Sequence, residues 1–174
     1  MARHLTGVLL VGGASTRFGS PKALARIDGR TLAEIGWETL GRVCDERIAV
    51  GKAADALPLP FPLVDDSTGV RAPLAGIVAG LRAAKHEVTV FLPVDCPAMT
   101  PDALRALGDA CVGAAVPQTG PLPGAYAKSA LPVLERRLGR GELTLRAALA
   151  ELEVRVVDMD ERLLVNVNVP DDLV

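Results

Sequence analysis

Two glycines, two cations and a few acids and amides carry the chemistry open to this 174-residue sequence. The segment Gly12-Gly13-Ala14-Ser15-Thr16-Arg17-Phe18-Gly19-Ser20-Pro21-Lys22 follows directly on an apolar run over residues 5–11. Gly12 and Gly13 admit close backbone approach and unusual dihedrals, so successive N–H groups can face phosphate oxygens or the edge of a base. Arg17 offers phosphate a bidentate fork, and Lys22 a mobile point charge. Asp95 closes a second apolar run, Val88-Thr89-Val90-Phe91-Leu92-Pro93-Val94, and would face the same crevice. Burying an unpaired carboxylate is expensive, and Mg²⁺, which takes one or two carboxylates plus phosphate oxygens, is a natural partner. The plainer alternative for Asp95 is a cap on the following turn. Asp65 and Asp66 are adjacent acids after a short apolar run over 61–64. Side chains alternate along a strand, so one of the two points inward. Asn166 and Asn168 alternate with valines, which puts both amides on one face. Their carbonyl oxygens can bind a ligand or a metal, or satisfy backbone at a strand end.

Two familiar phosphate loops fail on spacing. A P-loop requires GxxxxGK[ST], whereas five residues separate Gly13 from Gly19 and Lys22 does not adjoin Gly19. A dinucleotide fingerprint requires GxGxxG, which Gly12-Gly13-Ala14 breaks. With two His in all, His4 and His86, no Ser/His/Asp or Cys/His constellation assembles.

The elements that must hold these residues read as an α/β protein. Apolar runs at 5–11, 47–50, 88–93 and 113–116 alternate with helical patterns, which argues a mostly parallel sheet covered on both faces. Ligands of such sheets bind beyond the carboxyl ends of the strands, where the glycine segment falls. Thr31 and Glu34 have capping-box spacing at the head of a helix over 32–43. Pro73 suits the first turn of a helix over 74–84, Thr100-Pro101 opens one over 102–111, and Ser129 one over 130–138. Gly139 and Gly141 interrupt the pattern before 144–152 resumes it. Late strands are expected at 154–158 and 163–165, and Pro170 starts a short terminal helix. The proline-rich stretch 54–62 is too short to separate domains, so residues 1–174 read as one domain.

Composition narrows the partners. A net charge of −2 without a basic block gives no electrostatic reason to expect nucleic acid or an anionic membrane. No apolar stretch approaches the roughly 20 residues of a membrane span. Cys44, Cys96 and Cys111 form neither CxxC pairs nor an even set, which fits a reducing cytoplasm better than a disulfide scaffold. Fifteen of the nineteen basic residues are Arg, so each of the four Lys is worth locating.

The glycine segment resembles the signature loop of nucleotidyltransferases: a Gly-Gly or Ala-Gly pair, then SxRxG and a Lys. Together with Pro73-Leu74-Ala75-Gly76, Pro93-Val94-Asp95-Cys96-Pro97 and Asn166-Val167-Asn168-Val169-Pro170-Asp171, the chain is similar to the molybdenum cofactor guanylyltransferases from Gly7 to Leu173. That resemblance implies a Rossmann-like three-layer sandwich of the nucleoside-diphospho-sugar transferase type. It implies GMP transfer from GTP to molybdopterin with release of pyrophosphate, with transient contact to proteins that deliver the cofactor. It assigns the nucleotide to Leu10, Val11, Gly12, Gly13, Lys22, Asp66 and Asp95, and Mg²⁺ to Asp95. Catalytic roles fall to Arg17, Lys22 and Asp95, and substrate binding to Asn168. CMP transfer, transfer to a sugar or alcohol phosphate, and a noncatalytic nucleotide-binding module are the rival readings. Ala72 stands where the family has Gly, and the segment 120–126 lacks the family's His-Pro pair.

Overall fold

The computed structural model describes residues 2–12 and 20–167. Its centre is a seven-stranded sheet built from β1 (Leu5–Leu10), β4 (Glu46–Gly51), β5 (Leu63–Asp65), β6 (Val88–Pro93), β7 (Ala114–Pro117), β8 (Gly124–Ala127) and β9 (Val154–Val157). The strand order is β5-β4-β1-β6-β8-β7-β9. Strand β8 runs antiparallel to both its neighbours, and the other pairings are parallel. A two-stranded hairpin, β2 (Arg26–Ile27) and β3 (Arg30–Thr31), stands apart from the sheet.

Every residue of β1 is buried, as its uninterrupted apolar run requires of a strand covered on both faces. Alternation then sorts its side chains. Leu5 and Leu9 join α1 (Leu32–Gly41) and α3 (Pro101–Ala110) in one core, while Val8 and Leu10 join α2 (Pro73–Ala83), α4 (Leu131–Gly139) and α5 (Leu145–Leu149) in the other. The result is the helix–sheet–helix sandwich. Glycines let the helices press close: a Cβ on Gly36 would stand 2.5 Å from Leu9 Cδ1, and one on Gly80 2.6 Å from Phe91 Cε1.

Local signals set most helix starts. Thr31 and Glu34 form the full capping box of α1, Thr100 accepts from Ala103 N at the head of α3, and α2 opens on Pro73. Two expectations need correction. Ser129 caps nothing: a 3₁₀ turn spans Lys128–Ala130, and α4 starts on Leu131. The segment 163–165 is not a strand, because Asp160 accepts from Arg162 N and winds Glu161–Leu164 into a 3₁₀ turn. Strand β8 and the hairpin were not expected. Gly124-Ala125-Tyr126-Ala127 lacks β-branched residues, while Asp28 and Gly29 take the two positive-φ positions of the hairpin turn. The helix expected from Pro170 lies outside the described residues.

Candidate active site

Strands β4 and β6 flank β1 on opposite sides, so the chain's crossovers part there and leave a crevice beyond the strands' carboxyl ends. A cleft of about 400 Å³ occupies it. Ladder-like bonds continue past the strand ends and fix its floor: Val11 N donates to Val50 O at 3.0 Å, Val94 N to Leu10 O at 3.1 Å, and Asp66 N to Gly51 O at 2.9 Å.

Of the residues expected here, Leu10, Val11, Gly12, Lys22, Asp66 and Asp95 all line this cleft. Gly13, Arg17 and Asn168 lie outside the described residues. Gly12 does not take the positive φ that would make glycine a backbone necessity. Among the described residues a Cβ there would meet one atom, Gly51 Cα at 3.6 Å, which is ordinary contact. Facing it, Gly51 is fixed by packing, since its Cβ would come within 2.8 Å of Val11 Cγ2. Two glycines side by side thus give the cleft a floor of bare backbone.

At the β6 end, Lys22 opens a 3₁₀ turn (Lys22–Leu24) and its Nζ stands 3.8 Å from Asp95 Oδ2. That is an ion pair without hydrogen-bond contact, in a partly exposed setting. Behind it the Cys96 thiol donates to Asn166 Oδ1 at 3.1 Å and lies 3.5 Å from Asp95 Oδ1. Burial, reinforced by the negative charge of Asp95, pushes the Cys96 thiol well above its ordinary range. It therefore stays protonated and serves as a donor instead of a nucleophile. Val167 N donates to Asp95 O at 2.8 Å, which stitches the late segment beside the acid and brings Asn166 into the cleft. Residues 165–167 have no regular structure, so this amide arrives by that bond and not on a strand.

At the β5 end the choice between the adjacent acids resolves. Asp65 is exposed and accepts from Ala53 N at 3.0 Å, capping the 3₁₀ turn Ala53–Asp55. Asp66 turns inward against Lys52, with Nζ 2.8 Å from Oδ1. At the rim Arg71 holds Asp55 in a two-pronged pair, and that guanidinium keeps the Asp55 carboxyl below its usual range. Ala72 has φ −144° and ψ 149°, extended backbone that any residue adopts, so the backbone itself demands no Gly here. On the far wall, buried Tyr126 donates to Pro121 O at 2.8 Å and anchors the loop that presents Leu122 to the cleft.

Sequence reasoning left out Lys52, Gly51, Cys96 and Leu122 as lining residues. No motif surrounds Gly51 and Lys52; the available signal was position, since they close an apolar strand next to β1 as Asp95 does on the other side, while Cys96 lies within the motif over residues 93–97 and Leu122 within the segment 120–126.

Among the described residues no three or more His, Cys, Asp or Glu converge on a common metal position. Hard oxygen donors are nonetheless present in Asp95 and Asn166, which fits a cation held chiefly by a ligand's own phosphates plus one carboxylate. The arrangement can hold a polyanion at one end and a polar organic group at the other.

Comparisons with known proteins agree with this geometry. The family model of the MobA-like NTP transferase domain matches residues 7–156. The chain is 37% identical over 179 residues to a probable molybdenum cofactor guanylyltransferase of Deinococcus radiodurans, covering 97% of this chain and 92% of that protein. It is 32% identical over 162 residues to the molybdenum cofactor guanylyltransferase of Desulfosudis oleivorans, covering 88% and 80%. The crystal structure of molybdopterin-guanine dinucleotide biosynthesis protein A from Archaeoglobus fulgidus has a TM-score of 0.83 to this fold at 26% identity, over 97% of this chain and 94% of that one.

Proposed function

The chain belongs to the MobA-like NTP transferase family, and from that premise we propose that it transfers GMP from GTP to molybdenum-loaded molybdopterin. The observation that carries the reading is the loose Lys22–Asp95 pair at one end of a cleft floored by the bare backbone of Gly12 and Gly51. A phosphate oxygen of the acceptor attacks the α-phosphorus of GTP. The new O–P bond forms as the bond to the oxygen bridging to the β-phosphate breaks, and pyrophosphate leaves with that electron pair. No covalent enzyme intermediate is needed, so the protein's tasks are positioning and charge compensation.

Lys22, joined by Arg17, stabilises the departing pyrophosphate. The backbone of Leu10, Val11, Gly12 and Gly13 receives guanine and ribose, with Asp66 beside them. Asp95 would hold Mg²⁺, which when bound would neutralise charge on the phosphates. Cys96 and the backbone N–H of Val167 keep Asp95 and Asn166 oriented, and binding of the acceptor substrate is assigned to Asn168. Among the described residues no helix is long and apolar enough to cross a membrane. We place the reaction in the cytoplasm, which suits three free thiols, with soluble substrates and a transient contact to a cofactor delivery protein as the means of supply.

The test is pyrophosphate release from each nucleoside triphosphate with Mg²⁺ and molybdenum-loaded molybdopterin. Release with GTP is expected. Release with CTP alone overturns the base assignment, and none with any pairing overturns catalysis in favour of a binding module.

A further inference from the structure

Of the four Lys, the sequence points to Lys22, yet Lys52 lines the same cleft and reaches three acceptors. It follows the last residue of β4, and its side chain is 11% exposed against 8% for Asp66. Its Nζ lies 2.8 Å and 2.9 Å from the two oxygens of Asp66 and 2.7 Å from Thr68 O. An ammonium has three N–H bonds, and here three acceptors take them. Lys52 is therefore committed to Asp66 and Thr68 O. Asp66 also accepts from Thr68 N at 3.2 Å, and Val70 N donates to Thr68 Oγ1 at 2.8 Å. Two carboxylate oxygens offer about four acceptor positions, and three are used, so one remains beside the cleft that Asp66 lines.

The order of the strands says what that acceptor is for. Lys22 and Asp95 stand at the β6 end, Lys52 and Asp66 at the β5 end, and Leu10, Val11 and Gly12 lie between. A triphosphate seated at the first end leaves its nucleoside over the second, where N–H and O–H donors need an acceptor. We infer that Lys52 is a positioning residue for nucleotide binding: it acts through Asp66, aiming the remaining carboxylate acceptor at the nucleoside and clamping residues 66–68 as the wall of that subsite. The inference rests on the nucleoside triphosphate reading above. A near-buried pair of this kind is weak evidence for stability, because its desolvation offsets much of its attraction, while removing one partner strands the other charge.

The experiment measures GTP binding by calorimetry with Mg²⁺ and no acceptor, then steady-state kinetics. Lys52→Met is expected to weaken GTP affinity at least about tenfold and raise KM to match, with kcat at saturation within about threefold of wild type. Lys52→Arg, which keeps the charge, restores most of the affinity. Because Lys52→Met leaves a carboxylate alone, the doubly neutral Lys52→Met/Asp66→Asn supplies the control for folding. It should fold like wild type and still bind GTP at least about tenfold more weakly. Wild-type affinity in that folded double variant, or a loss in kcat with KM unchanged, overturns the inference. A wild-type protein that binds no triphosphate refutes instead the transferase reading on which the inference stands.

Discussion

Gly12→Ala separates what the fold needs from what the ligand needs. The added methyl would lie 3.6 Å from Gly51 Cα and meet nothing else of the described protein within 4 Å, so folding is not obstructed. Gly12 has no positive φ, so alanine adopts its conformation without strain and narrows the unfolded ensemble, worth about 0.4–1 kcal/mol. For a chain of 174 residues that corresponds to a Tm unchanged or raised by about 1–4 °C. Gly12 lines the cleft, so the methyl occupies volume that a bound nucleotide would use. Forcing one extra carbon into a fitted contact costs about 1–3 kcal/mol, or about fivefold to a hundredfold in affinity. The assay pairs thermal unfolding with calorimetric titration of GTP in Mg²⁺. A Tm lowered by several degrees, or GTP affinity unchanged, would refute the assignment of Gly12 to ligand approach.

The remaining predictions address the other parts of the site and fold. Asp95→Asn keeps shape but loses the charge facing Lys22, and pyrophosphate release should fall at least about a hundredfold with the far-ultraviolet dichroism unchanged. Gly80→Ala drives a methyl to 2.6 Å from Phe91 Cε1 and 3.0 Å from Val8 Cγ2, which should destabilise the protein by about 1–3 kcal/mol in urea unfolding. Burial pushes the Cys111 thiol from its ordinary 9.0 up to about 11, the neighbouring Arg3 pulling slightly the other way. Its folded pKa lies above the unfolded one, so this contribution is full below pH 9 and is lost as pH rises towards 11. Tm measured across that window should fall, and Cys111→Ala should flatten the fall.

What the sequence made legible follows from how local each cause is. Asp95 is readable because the strand before it is almost wholly apolar and strand ends in such sheets meet ligands. Helix α1 is readable because Thr31 and Glu34 cap it within one turn. Lys52 is not readable, because its meaning comes from Asp66, 14 residues on, across a parallel pairing that no local pattern encodes. Strand alternation alone does not distinguish Asp65 from Asp66, although the family resemblance favours Asp66; in the structure Asp66 N bonds Gly51 O and Asp66 lines the cleft. Strand β8 escapes because Gly124-Ala125-Tyr126-Ala127 owes its place to burial between β6 and β7 and not to β propensity. The Asp28-Gly29 hairpin, by contrast, has a local signal, one that hydrophobic periodicity ignores.

The two Lys–Asp pairs of the cleft differ in a way that bears on mechanism. Lys52 and Asp66 are close and nearly buried, so exchanging either partner would expose a bare charge to a dry surrounding. Lys22 and Asp95 are 3.8 Å apart and more than twice as accessible as Asp66, at 20% and 27%. Parting them costs little, since solvent screens such a pair. A nucleotidyl transfer asks for this division. On the proposed reading, Lys22 would turn to phosphate and Asp95 would hold the cation, and the pair would re-form once pyrophosphate has left. Where the nucleoside rests, nothing needs to move between turnovers, and rigidity lowers the cost of binding. Tightening the first pair should therefore slow turnover, even though it strengthens a contact.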